Sequence, residues 1–182
     1  MKRILMVIML LSALLAFAGC GGGSGGGGAG GTSVPTTAAV TLLTDGLLPA
    51  GILIGDIEVA LQLPAGVTVD ATDSGNGVLV PNDGVVVLQG GAAGSPVNQQ
   101  FTATYTPASG GTPGRVNLRL QNGNGLIPEA FALVNCRIAA GSLPLTTDFG
   151  VVSLLANNAT GVADLSTANL PDITVKYSVV FK

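Results

Sequence analysis

Gly55-Asp-Ile-Glu-Val-Ala-Leu-Gln-Leu63 reads as a β-strand, and Pro64-Ala65-Gly66 ends it. Ile57, Val59, Leu61 and Leu63 fall on one side of this run, Glu58, Ala60 and Gln62 on the other. Period-two alternation is what a strand with one buried and one solvated face requires. The same pattern recurs from Arg115 to Gln121, with Val116, Leu118 and Leu120 inward and Arg115, Asn117 and Arg119 outward. Gln100 to Thr106 places Phe101, Ala103 and Tyr105 on one face. Ile173 to Phe181 does so with Ile173, Val175, Tyr177, Val179 and Phe181, leaving Lys176 and Lys182 on or near the other.

Working outward, shorter extended runs are read at Thr37 to Thr44, Val67 to Asp70, Gly77 to Val80, Val85 to Gln89, Phe149 to Leu155 and Thr160 to Leu165. Clusters of Gly, Pro, Asn and Asp separate them, as in sandwiches of short strands. Phe131 to Ala139 is the most apolar internal run, which predicts a central strand. Pro81-Asn82-Asp83-Gly84 reads as a hairpin turn joining its two flanking strands, because Asp-Gly accepts positive φ. Helical periodicity is almost absent after the leader. The expected fold is all-β, a jelly-roll-type β-sandwich of about nine strands spanning residues 34–182.

Residues 1–19 have the form of a secretory signal peptide. Lys2 and Arg3 supply positive charge, and Ile4 to Phe17 is an almost unbroken apolar stretch. That stretch is shorter than the roughly 20 residues of a spanning helix. Phe17-Ala18-Gly19-Cys20 resembles a bacterial lipobox, with Phe where Leu is usual. The resemblance implies cleavage before Cys20 and acylation of Cys20 with three chains, palmitate among them. One acyl chain holds a protein only marginally, at about 0.8 kcal/mol per buried methylene, whereas three make a lasting anchor. Gly21 stands where Asp would often mark inner-membrane retention, so the outer membrane is favoured over the inner as the site of this envelope protein. Residues 20–33 are then the lipidated Cys and a flexible linker. The nearly pure Gly tract 21–31 buries nothing, behaves as a coil, and reaches about 20 Å. It has neither the Lys-Ser/Thr nor the preceding strand of a phosphate loop.

Without Lys2 and Arg3, five basic residues face ten acidic ones, a net charge of −5. There is no basic patch, so nucleic acid is not an expected partner. The chain has no His, which removes His-based triads and His metal sites. It has no Trp, two Tyr and five Phe, a poor supply of sugar-stacking platforms. Cys136, inside the apolar run, reads as a small buried hydrophobe, with a redox or intermolecular disulfide role as the alternative.

Three phrases carry a resemblance: Ile57-Glu-Val-Ala-Leu-Gln-Leu-Pro-Ala-Gly-Val-Thr-Val69, Pro113-Gly-Arg-Val-Asn-Leu-Arg-Leu120, and Glu129-Ala-Phe-Ala-Leu-Val-Asn-Cys-Arg-Ile-Ala-Ala-Gly141. They resemble the early segment, the middle strand and the entry to the central strand of cohesin-like domains, over most of residues 34–182. Cohesins are β-sandwiches related in fold to some cellulose-binding modules. The resemblance implies docking of a calcium-loaded dockerin-like module through one sheet face. It assigns no partner-contacting residue here.

Asp70-Ala-Thr-Asp73-Ser-Gly-Asn76-Gly is the cluster nearest to a cation site, since calcium takes oxygen ligands beside Gly turns. Its spacing departs from the EF-hand loop and lacks a distal Glu, so a polar turn competes with a structural calcium at Asp70, Asp73 and Asn76. Asn122-Gly-Asn-Gly125 and Asn157-Asn158 read as loop chemistry before ligand chemistry. Asp56 and Glu58 share a strand face, where a solvated surface outweighs an acid–base pair. Arg115, Asn117 and Arg119 form an exposed stripe suited to an acidic partner or simply to solubility. No catalytic residue is expected. The functional expectation is a membrane-anchored, non-catalytic binding or adhesion module that docks a dockerin-bearing protein. The alternatives are a polysaccharide-binding lipoprotein and a structural envelope component without a small ligand.

Overall fold

Two antiparallel sheets are built from eleven strands. The structure, a computed structural model, describes residues 34–94, 97–158 and 172–182. Cys20, the leader, the linker and the strand expected at Thr160 to Leu165 lie outside the described residues. The smaller sheet contains β11 (Thr174–Phe181), β1 (Thr37–Asp45), β9 (Ala130–Ile138) and β3 (Val67–Thr68) in that order, with β6 (Val86–Leu88) also paired to β9. The larger sheet runs β10 (Gly150–Asn158), β2 (Ile54–Leu63), β8 (Gly114–Leu126), β7 (Gln99–Thr106), β5 (Leu79–Pro81), β4 (Ala71–Asp73). A four-residue helix, α1 (Gly90–Ala93), precedes β7, and a single 3-10 turn lies at Thr146–Asp148.

The all-β sandwich expected from the alternation is the observed architecture, with eleven strands among the described residues rather than about nine, one of them, Ala71–Asp73, within the segment read as a cation cluster. Apolar rows cross the larger sheet in register: Ile57 beside Leu120 beside Phe101, Val59 beside Leu118 beside Ala103, Leu61 beside Val116 beside Tyr105. Opposite them, Val40 lies between Val134 and Val179, and Leu42 between Ala132 and Tyr177. These side chains form one continuous core, in which each fully buried Val, Leu or Ile contributes about 1.5–3 kcal/mol. β9, the most apolar run, is central as its composition predicts, with β1 on one side and β3 and β6 on the other.

The turn at residues 81–84 corrects one reading. It forms, with Val85 N–H donating to Asn82 C=O at 3.0 Å and Gly84 at φ +78°. Yet it does not close a hairpin. β5 pairs with β4 and β7, while β6 pairs with β9 in the other sheet. The local turn chemistry is right, but the apolar residues beyond it are recruited by the exposed edge of β9, so the chain crosses between sheets.

Register also fixes the two ends of the sandwich. Thr36 and Thr37 N–H both donate to Lys182 C=O, so the start of β1 and the end of β11 lie together. The same end carries the connections 64–66, 107–113 and 139–149, because Leu63 faces Gly114, Arg115 faces Thr106 and Gly150 faces Gln62. The opposite end carries 46–53, 127–129 and Asp172.

Candidate functional site

The outer face of the larger sheet is assembled by the alternation that makes the core. Reading across β2, β8 and β7, the outward rows are Gln62, Arg115, Thr106; Ala60, Asn117, Thr104; Glu58, Arg119, Thr102; and Asp56, Gln121, Gln100. β10 extends these rows with Ser153 beside Ala60, Leu155 beside Glu58 and Asn157 beside Asp56. The surface consists of amides and hydroxyls around a small charged centre.

That centre is ordered by Arg119. Its Nη2 donates to Asp56 Oδ2 at 2.9 Å and its Nε to Oδ1 at 3.4 Å, a two-pronged contact that suits the planar guanidinium. The hydrogen bond to Asp56, then the charges of Asp56 and Glu58, raise the Arg119 pKa further above its ordinary value. Gln121 Nε2 also donates to Asp56 Oδ2, at 3.5 Å, and Asn117 Nδ2 donates to Thr104 Oγ1 at 3.5 Å. The Arg115 side chain, on the same stripe, makes no ion pair or hydrogen bond among the described residues. Asp56 and Glu58 share a face as the alternation requires, and Asp56 is engaged as an acceptor by two neighbours. The face therefore presents two arginines, one of them fixed by Asp56, the exposed carboxylate of Glu58, and neutral hydrogen-bonding groups, which can recognise a polar surface. The sequence reading singled out Arg115, Asn117 and Arg119 but passed over Gln100, Thr102 and Thr104, although the alternation of β7 already places these three outward.

The residues of the expected cation cluster do different work. Arg137 Nε lies 2.6 and 2.7 Å from the two carboxylate oxygens of Asp70, and this pairing raises the arginine pKa. Asp73 Oδ1 accepts from Gly75 N–H at 2.8 Å and Gly77 N–H at 3.2 Å, closing the polar turn between β4 and β5. Asn76 is exposed at its tip. Among the described residues no three His, Cys, Asp or Glu side chains gather as metal ligands.

Asn122 is buried rather than displayed. Its Nδ2 donates to Gln99 Oε1 at 3.1 Å, its Oδ1 accepts from Asn124 N–H at 2.9 Å, and Gln99 Nε2 donates onward to Ala92 C=O at 2.8 Å. The segment expected as a loop is an outward bulge within β8: Asp56 faces Gln121 and Ile54 faces Leu126, so residues 122–125 have no matching partners on β2. Asn157 lies on the outer face and Asn158 closes β10, with its Oδ1 buried and without a hydrogen-bond partner among the described residues. Cys136 is buried, and desolvation pushes its thiol pKa up to about 12.

No protein-family model matches the chain, and no curated protein or solved structure matches it either.

Proposed function

We propose that this chain is a lipid-anchored envelope protein, acylated at Cys20, whose sandwich is a non-catalytic docking module. It recognises a protein partner through the outer face of the larger sheet. The observation that carries this reading is the ordered polar surface across β2, β8 and β7, with Arg119 held by Asp56 and Arg115 left unpaired. A broad, hydrogen-bonding face of this kind suits protein recognition, in which a few well-placed Arg side chains supply much of the binding energy. The cohesin-like phrases make a dockerin-like, calcium-loaded module the specific partner class. The tether would raise local concentration at the membrane and strengthen a weak single contact.

The test immobilises residues 34–182 and exposes them to the envelope and secreted proteins of the source cells, with and without EDTA. One dominant partner, lost in EDTA and lost when Arg115 and Arg119 are both changed to Ala, supports the reading. A partner that binds this double variant undiminished places docking elsewhere. No protein partner at micromolar sensitivity, with retention on a polysaccharide instead, transfers the role to glycan binding.

A further inference from the structure

We infer that the end of the sandwich at which the chain enters is itself a membrane-contacting surface, with Leu143 and Leu145 dipping into the lipid interface. This rests on the lipid anchor proposed above. The side chains of Leu143 and Leu145 are 74% and 63% exposed, and Val34, at the entry point, is 58% exposed. All three belong to the same end, where residues 34–37 lead into β1 beside Lys182 and where residues 139–149 join β9 to β10. Isolated exposed apolar residues are ordinary, but several at one site mark contact with something less polar than water.

The loop that carries the leucines is fixed. Ser142 N–H donates to Ala139 C=O at 3.0 Å, and Asp148 Oδ2 accepts from Leu145 N–H at 2.8 Å. The Asp148 carboxylate is thereby turned onto the backbone beside Leu145. The connections 64–66, 107–113 and 139–149 carry a single charged residue, Asp148, and its carboxylate is engaged by the Leu145 N–H. Arg115 and Lys182, whose side chains have no ion pair among the described residues, stand behind the tip of this end. Apolar side chains at the tip with cations one step behind match the headgroup boundary, where leucine enters the acyl edge and Lys or Arg meets phosphate.

What selects lipid as the occupant is the length and attachment of the chain that precedes the domain. A Gly tract with a reach of about 20 Å leads from Cys20 to Val34. The long strands measure about 30 Å. An anchor on Cys20 therefore draws this end toward the bilayer more strongly than residues 46–53 and 127–129, which are joined to it only through a further strand's length of protein. Those far connections also expose Leu47, at 86%, and Ile127, at 57%, so apolar exposure alone does not distinguish the two ends. The tether does.

The chain has no Trp, so one introduced Trp is a clean reporter. The full-length protein, purified from membranes with its acyl chains, would be made as Leu143→Trp and, separately, Leu47→Trp. Each would be reconstituted into vesicles of zwitterionic lipid and of mixed zwitterionic and anionic lipid, with brominated acyl chains as quencher. The expected result is that both variants float with the vesicles, and that the Leu143→Trp emission shifts to the blue and is quenched. The Leu47→Trp emission should stay that of a water-exposed indole. The Leu143→Trp quenching should deepen with anionic lipid and weaken when Arg115 and Lys182 are changed to Gln. Flotation with both reporters equally unquenched overturns the lipid contact but leaves the anchor standing. Equal quenching at both positions overturns the assignment of the contact to this end. Failure to float overturns the anchor and the inference with it.

Discussion

At the scale of single residues, the informative side chains are polar groups placed inside. Thr44 occupies the inward stripe of β1 after Ala38, Val40 and Leu42, and it is 2% exposed. Its Oγ1 donates to Glu129 C=O at 3.2 Å and accepts Glu129 N–H at 3.1 Å, tying the end of β1 to the connection before β9. Thr44→Val keeps the shape and removes both bonds. Glu129 C=O keeps the Thr44 N–H as a donor at 2.9 Å, so the Glu129 N–H is the group left unsatisfied. One such buried donor costs about 1–3 kcal/mol, so thermal unfolding should move down by about 2–4 °C for each kcal/mol lost. A melting curve superimposable on wild type would show that Thr44 is not a clamp. Cys136 makes a prediction in pH. Its thiol pKa is raised from 9.0 to about 12 by burial. The unfolded chain therefore gives up this proton at lower pH than the folded chain does. The stabilising contribution is complete below pH 9 and is lost progressively as pH rises toward 12. Denaturant titrations across that window should fall more steeply for wild type than for Cys136→Ala, and native protein at neutral pH should resist thiol reagents. Tyr105, also raised by burial, titrates in both proteins and leaves the comparison intact.

At the scale of elements, β8 separates stability from recognition along one strand. Leu118 points inward between Val59 and Ala103, and Arg119, the next residue, points outward onto Asp56. Leu118→Ala should cost about 2–5 kcal/mol through lost burial and the cavity left behind. Arg119→Ala should leave unfolding close to wild type, because an exposed ion pair adds little, while weakening partner capture. Two variants equal in stability, or an Arg119→Ala protein that captures as well as wild type, would break this division. The alternation that makes it possible was legible in the sequence, and so were β2, β7, β8, β9, β11 and the outward stripe. Pairing was less legible. The Asp83-Gly84 turn has hairpin chemistry, yet β5 pairs along β4 and meets β7 at Leu79, while β6 pairs along the longer β9 in the other sheet. Asn122 looked like loop chemistry because its hydrogen-bond partners, Gln99 and the backbone of Asn124, depend on a bulge that only the register between β2 and β8 creates. Asp70 looked like a cation ligand because Arg137, 67 residues away, is brought beside it by the β3–β9 pairing.

At the scale of the whole domain, the chain closes on itself late. β1 is hydrogen-bonded on one side to β9 and on the other to β11, so both neighbours of the first strand come from the C-terminal third of the sequence. β11 pairs with β1 from Ala38 to Asp45 and packs Tyr177, Val179 and Phe181 against the core. Tyr177 Oη also donates to Phe149 C=O at 2.5 Å, linking the smaller sheet to the strand that opens the edge of the larger one. Contacts this distant in sequence form only after costly loop closure, which makes folding slow and exposes unpaired edges in partly folded chains. Removing residues 172–182 should therefore do more than delete one edge. It uncovers Val40 and Leu42 on β1, strips the hydrogen-bonding partners from one side of that strand, and leaves Phe149 without its contact to Phe181. We expect such a truncated domain to lose its cooperative unfolding transition and to bind a hydrophobic dye, whereas residues 34–182 unfold in one step by circular dichroism and by tyrosine fluorescence. A truncated protein that keeps a single sharp transition would mean that the core is closed without β11, and that the pairing of the chain ends is ornamental to stability.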